Sequence, residues 1–257
     1  MVYSLQTSCV YGPVNSRRLG SSLGINLLPS DVKLCSFDCV YCHYGVTEVK
    51  TVDQADSVVH FPSLTDVTDE LRQALKSFSD RHERPEYITF SGNGEPTLHP
   101  QFSGIVDEVK ALRDQYVPDV PVAVLSNSTT VHLPSVREAL MKLDRRIMKL
   151  DAGDAETFQA VNRPAPSLDL EEIIEGLCHL KDLSIQSAFM RGGVENIGRR
   201  ERESWIQALE RIKPNDVQMY TIDRPSADGR IERVERSILE EIAQEVADRT
   251  GVKVRVY

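Results

Sequence analysis

Lys33-Leu34-Cys35-Ser36-Phe37-Asp38-Cys39-Val40-Tyr41-Cys42-His43 gathers three of the chain's five cysteines into eight residues, spaced Cys-x3-Cys-x2-Cys. Thiolates this close in sequence converge on one site only from a loop. The loop follows an apolar run at 23–28 that reads as a strand. Cys35, Cys39, Cys42 and His43 would supply the four N/S donors of a structural zinc. Zinc ribbons and fingers, however, draw two donors from each of two separated segments, and no second pair occurs; Cys9 and Cys178 stand alone. A [4Fe–4S] cluster explains the spacing better, because three cysteines leave one iron open to an exogenous ligand.

Working outward, the same alternation repeats: a short apolar run, then a stretch of helical period. The runs lie at 23–28, 87–91, 122–126, 146–151, 184–190 and 217–222. Leu64, Val67, Leu71, Leu75 and Phe78 share one helical face, as do Phe102, Ile105, Val106, Val109 and Leu112, and 168–180 and 238–246 behave alike. Thr65-Asp66 and Ser135 read as helix starts, and the alternating tail at 252–256 as a last strand. Six βα units predict an α/β fold with parallel strands and outer helices; an open, partial (β/α)6 TIM-type barrel fits the count, and a doubly wound sheet would show the same alternation. One domain is expected over 1–257, with a core at about 20–225 and a C-terminal helix and strand at 235–257. Chemistry belongs at the carboxyl ends of such strands.

Composition narrows the function. Thirty basic against 39 acidic residues give −9, and no basic block stands out, which tells against nucleic acid as partner. No run reaches the ~20 apolar residues of a membrane span. No signal peptide is visible at the first residues, and clustered rather than paired cysteines suit a reducing compartment, so a cytoplasmic enzyme is expected.

The candidate residues sit at the ends of the runs. Gly92-Asn93-Gly94-Glu95 follows the second; Ser126-Asn127 closes the third; Lys149 and Asp151 close the fourth, two apart and therefore on one face. Ser187 and Met190 lie on the fifth and line either a cofactor or the barrel core. Arg163, Arg191 and Arg224 are expected in loops or an adjoining helix turn, as substrate contacts for an anion or as structural Arg–Asp pairs. Arg17 and Arg18 carry the same two readings.

The cysteine spacing, with an aromatic before the third cysteine, resembles the radical SAM superfamily. Gly12-Pro13, Ser16-Arg17-Arg18-Leu19-Gly20, Gly92-Asn93-Gly94-Glu95-Pro96-Thr97-Leu98 and Asp223-Arg224-Pro225 resemble its wyosine-base-synthase-like branch. The resemblance implies a cluster on Cys35, Cys39 and Cys42 whose open iron is chelated by S-adenosylmethionine (SAM). It implies reductive SAM cleavage to a 5′-deoxyadenosyl radical that abstracts hydrogen from a substrate. Gly92, Asn93, Gly94 and Glu95 would match the superfamily's Gly-Gly-Glu turn, which holds the methionine amino group, with Asn93 in place of the second glycine. Ser126, Asn127, Lys149 and Asp151 would reach the ribose and carboxylate, and Tyr41 the adenine. Only Cys9 precedes the motif, whereas archaeal-type wyosine-base synthases bring further N-terminal cysteines for a second cluster. The expectation is therefore a one-cluster enzyme acting on a small molecule, fed by a one-electron donor such as flavodoxin or ferredoxin. A tRNA base modifier, a glycyl-radical-enzyme activase with a protein partner, and a zinc-stabilised binding module stand as alternatives.

Overall fold

Strands buried on both faces read as unbroken apolar runs, and all six runs are strands. The computed structural model describes residues 3–53, 60–223 and 228–257. In chain order the elements are β1 (Val10–Ser16), β2 (Gly20–Ile25), β3 (Leu34–Cys35), β4 (Val49–Lys50), α1 (Leu64–Asp80), β5 (Tyr87–Phe90), α2 (Phe102–Tyr116), β6 (Val122–Ser126), α3 (Pro134–Met141) and β7 (Arg145–Lys149). Then follow α4 (Ala155–Asn162), α5 (Leu170–Cys178), β8 (Leu183–Gly192), α6 (Arg199–Ile212), β9 (Asp216–Thr221), β10 (Ile231–Arg233), α7 (Arg236–Thr250) and β11 (Lys253–Val256).

The main sheet runs β1-β2-β5-β6-β7-β8-β9-β11. From β2 to β11 every neighbouring pair is parallel. β1 lies antiparallel on β2, and β10 antiparallel on the far half of β8. The path has two ends rather than closing, so the architecture is an open, partial (β/α)6 barrel extended by one strand at each edge. Helices cover the sheet through their apolar faces. In α1, Val67, Leu71, Leu75 and Phe78 are buried, and the helix starts with a reciprocal cap: the Ser63 hydroxyl accepts from Asp66 N, and Asp66 accepts from Ser63 N.

One expectation needs correction. The run at 184–190 extends to Gly192 because β10 pairs with it, placing Glu232 opposite Arg191. Arg191 therefore lies inside a strand and not in a loop. Gly12-Pro13 falls in edge strand β1, where a register shift between Tyr11 and Val14 accommodates a residue that cannot donate to the ladder.

Candidate active site

The cysteine loop leaves β2 and lies against two neighbours. Leu34 bridges to Gly94 and Phe37 to Pro164. Asp38 N donates to the Asn162 carbonyl at 3.0 Å, and Val40 N to the Val161 carbonyl at 3.0 Å, tying the loop to the end of α4. Gly94 has no alternative here: a Cβ would stand 1.8 Å from the Leu34 carbonyl oxygen. Gly92 adopts φ +144°, a conformation side chains avoid. The turn after β5 is thus pressed onto the cysteine loop.

Between them lies a cavity of about 290 Å³. Cys35, Cys39 and Cys42 line one wall with Phe37, Tyr41 and Tyr44; Gly92, Gly94 and Glu95, then Ser126 and Asn127, then Lys149 and Gln186 line the rest. Glu95 is buried, and its carboxylate accepts from Thr97 N, Thr97 Oγ1, Ser126 Oγ and Asn127 N, at 3.1, 2.6, 2.9 and 2.5 Å. Burial pushes its pKa up against the pull of these four donors. Its carboxylate clamps the β5 turn to the end of β6. Asn127 gives its amide to the cysteine loop, donating to Ser36 Oγ at 2.8 Å and to Cys35 Sγ at 3.5 Å.

At the end of β7 the two-residue period holds, with Lys149 Nζ 3.6 Å from Asp151 Oδ2. Tyr41 bridges them, its hydroxyl donating to Asp151 and accepting from Lys149, both at 2.5 Å. Asp151 also accepts from Asn162 Nδ2 at 2.7 Å and from Ala188 N at 2.9 Å. Burial lowers the Lys149 pKa, but Asp151, with Tyr220 and Cys39, outweighs it, and the ammonium is held above its usual range.

The donor set suits a cluster. Three cysteines face one cavity, and two of them receive amide donors, Asn127 on Cys35 and Asn162 on Cys39 at 3.4 Å. Such bonds tune cluster potential. Three thiolates on one cavity wall suit a cube, in which each binds a different iron. Burial pushes the Cys35 and Cys39 thiols up, to about 12 and about 11, so coordination must release their protons.

Residues 31–209 match the radical SAM superfamily. The chain belongs to this superfamily. It is 34% identical over 221 residues to a UPF0026 protein of Methanocaldococcus jannaschii, covering 85% of this chain and 64% of that protein. To a UPF0026 protein of Synechocystis it is 30% identical, covering 96% and 95%. To a GTPase Obg of Brachyspira hyodysenteriae it is 31% identical, over 86% of this chain but only 31% of that protein. The chain thus spans from about a third to nearly all of the relatives it matches. In structure it resembles TYW1 with a lysine-pyruvate adduct bound, at TM-score 0.64 and 16% identity, covering 92% of this chain and 76% of that one. It also resembles SuiB of Streptococcus suis bound to SAM, at TM-score 0.64 and 13% identity, covering 91% and 50%. At these identities the likeness is one of fold.

The superfamily reading gains most of its expected residues at one cavity, but not all. Asn93 is fully buried and absent from the wall. Its amide donates to the Gln6 and Pro29 carbonyls and accepts from Gln6 N, anchoring the N-terminal segment. Asp151 lies behind the wall. Ser187 is buried, its hydroxyl donating to the Leu150 carbonyl, while Gln186 lines the cavity instead. Strand β8 is buried on both faces through its first eight residues, so its sequence gives no phase, and the choice of Ser187 is one residue out. Met190, likewise buried, packs with Val40 and Tyr41.

The arginines do not converge here. Arg163 pairs with Asp228 at 3.2 Å beside a separate groove, and Arg191 with Glu232 and Glu235 at 3.5 and 3.6 Å. These are the structural pairs of the plainer reading. Arg224 lies outside the described residues. Tyr11, Lys33, Tyr44, Gln186 and Asn162 were not anticipated, because nothing in their local sequence marks them. They reach the site only through the packing of β1, the loop ends, β8 and α4.

Proposed function

We propose that this chain is a one-cluster radical SAM enzyme acting on a small molecule. The observation that carries this is the wall of one cavity: the three cysteines of the Cys-x3-Cys-x2-Cys loop facing the Gly92–Glu95 turn and the ends of β6 and β7. When bound, a [4Fe–4S] cluster on Cys35, Cys39 and Cys42 and a SAM molecule would supply one-electron cleavage to a 5′-deoxyadenosyl radical for hydrogen abstraction.

The chain's own residues do the positioning. Backbone carbonyls of the Gly92–Gly94 turn accept from a ligand ammonium, and Glu95 fixes that turn through four hydrogen bonds. Lys149 offers a cation to ligand oxygens, and Ser126 Oγ, whose own proton goes to Glu95, offers an acceptor to a ligand hydroxyl. Tyr41 is held by Lys149 and Asp151, so its ring forms a fixed aromatic wall for a base. Phe37, Tyr41 and Tyr44 in the wall limit water beside the cysteines, which protects a reactive intermediate. A one-electron donor, flavodoxin or ferredoxin in kind, completes the scheme.

The test is anaerobic reconstitution with iron and sulfide, reduction, and addition of SAM. About four irons per chain and release of 5′-deoxyadenosine are expected, and Cys39→Ala should lose both. A colourless protein that takes up zinc and leaves SAM intact would overturn the reading.

A further inference from the structure

The tip of the β1–β2 hairpin reaches across the barrel. Ser16 Oγ accepts from both Arg18 N and Leu19 N at 3.2 Å, and Leu19 is buried, so the backbone of the tip is fixed. Arg17 forms an ion pair with Asp223, just past β9. Arg18 behaves differently. Its Nη1 donates to Gln186 Oε1 at 2.5 Å, and its guanidinium lies 5.0 Å from the centre of the Tyr220 ring. Both partners are neutral. Among the described residues no carboxylate pairs with Arg18, although Arg17 and Arg163 each have one and Arg191 has two.

The charged groups at this edge of the cavity differ in their partners. Lys149 pairs with Asp151. Glu95 is held by Thr97, Ser126 and Asn127, and Lys33 Nζ by the Gly45 carbonyl. Arg18, half-buried next to the cavity-lining Gln186, has no carboxylate partner among the described residues. An arginine has five N–H donors in a planar fork, and the bond to Gln186 occupies one. A ring contact orients the fork without neutralising it.

We infer that Arg18 reads an oxyanion on the substrate, so that the small molecule taken by this site carries a carboxylate or a phosphate. The inference rests on the radical SAM reading and names the substrate class for that same cavity. Gln186 and Tyr220 hold the guanidinium ready, and an incoming oxyanion gains a charge-assisted, two-point contact.

The test uses the reconstituted holoenzyme. Phenylglyoxal modification, mapped by peptide mass spectrometry, is followed at Arg18 and at exposed Arg233 as reference. Inorganic phosphate or succinate is expected to slow modification of Arg18 at least fivefold relative to Arg233, and the better protector names the group. SAM alone should give no protection. Binding of the better anion is then measured for the wild type, Arg18→Gln and Arg18→Lys. A loss of about tenfold in Arg18→Gln is expected, with Arg18→Lys between, at unchanged iron content. Equal affinity in wild type and Arg18→Gln, no binding in the wild type, or protection by SAM alone would each overturn the inference. Loss of 5′-deoxyadenosine release in the wild type would instead sink the reading beneath it, so the two failures are told apart.

Discussion

Glu95 joins two strand ends through a carboxylate that burial disfavours in its charged form. Replacing it strands buried donors on Thr97, Ser126 and Asn127. Glu95→Ala is therefore expected to cost about 3 kcal/mol of stability and to weaken SAM binding, because the Gly92–Gly94 turn loses its clamp. Chemical denaturation and SAM titration of the reconstituted variant check this; unchanged stability would contradict the clamp. At this scale the sequence was legible where a residue's type dictated its chemistry. The cysteines, Gly92, Gly94, Glu95, Ser126, Asn127 and Lys149 all meet the cavity. It was illegible where phase or pairing decides: Gln186 against Ser187 depends on which face of β8 looks inward, and Arg163 is engaged by Asp228, 65 residues away.

The short helical turn Pro96–Leu98, which follows Glu95, ends on His99. This imidazole is buried, with Nε2 at 2.8 Å from the Pro62 carbonyl and Nδ1 accepting from Gln101 N at 3.0 Å. Nε2 therefore carries the proton and the ring is neutral. Burial lowers its pKa, the Pro62 contact opposing. The unfolded chain then binds the extra proton more readily than the folded one. Stability is full above the ordinary value near 6.5 and falls as pH drops below it, by up to about 1.4 kcal/mol per pH unit. Denaturation curves at pH 7 and 5 should show this slope, and His99→Gln should flatten it. An unaltered slope in the variant would assign the effect elsewhere. Elements were readable in proportion to their burial. The inner parallel strands are largely buried and carry short apolar runs, whereas β1 is largely exposed, contains Pro13 and carries a bulge. Helix α6 opens on Arg199, Arg200, Glu201, Arg202 and Glu203 with no side-chain cap, so neither a start signal nor an early apolar stripe announces it.

Across the whole molecule, the cysteine loop is held by backbone bonds as well as by any metal. Thr51 N donates to the Cys35 carbonyl, Ala165 N to the Ser36 carbonyl, and Asp38 and Val40 to the end of α4. The core beneath it packs β-strand against helix, with Cys35 and Cys39 only at its margin. Chelation of iron should therefore leave far-UV circular dichroism unchanged while lowering the melting temperature. Faster amide exchange should be confined to about residues 39–48 and spare β6–β9. Global unfolding on chelation, as in a zinc finger, would mean that the metal builds the fold. The barrel itself was foreseeable from the count of strands and helices. Its open edge followed from the same count, six units falling two short of a closed eightfold barrel; the antiparallel strand β1 at that edge did not, because pairing and not strand count decides it.

The hairpin tip that carries Arg18 also sets an order in time. Gln186 lies 168 residues downstream. At roughly 5–20 residues per second of synthesis, the tip leaves the ribosome roughly 8–34 s ahead of its partner. Tyr220 and the Asp223 partner of Arg17 come later still. Within that interval the cysteine loop, the turn after β5 and the loop's anchors at 161–165 emerge in turn, and Gln186 follows them. The residues proposed to hold the cofactors are thus synthesised ahead of the partner that holds the arginine proposed to choose the substrate.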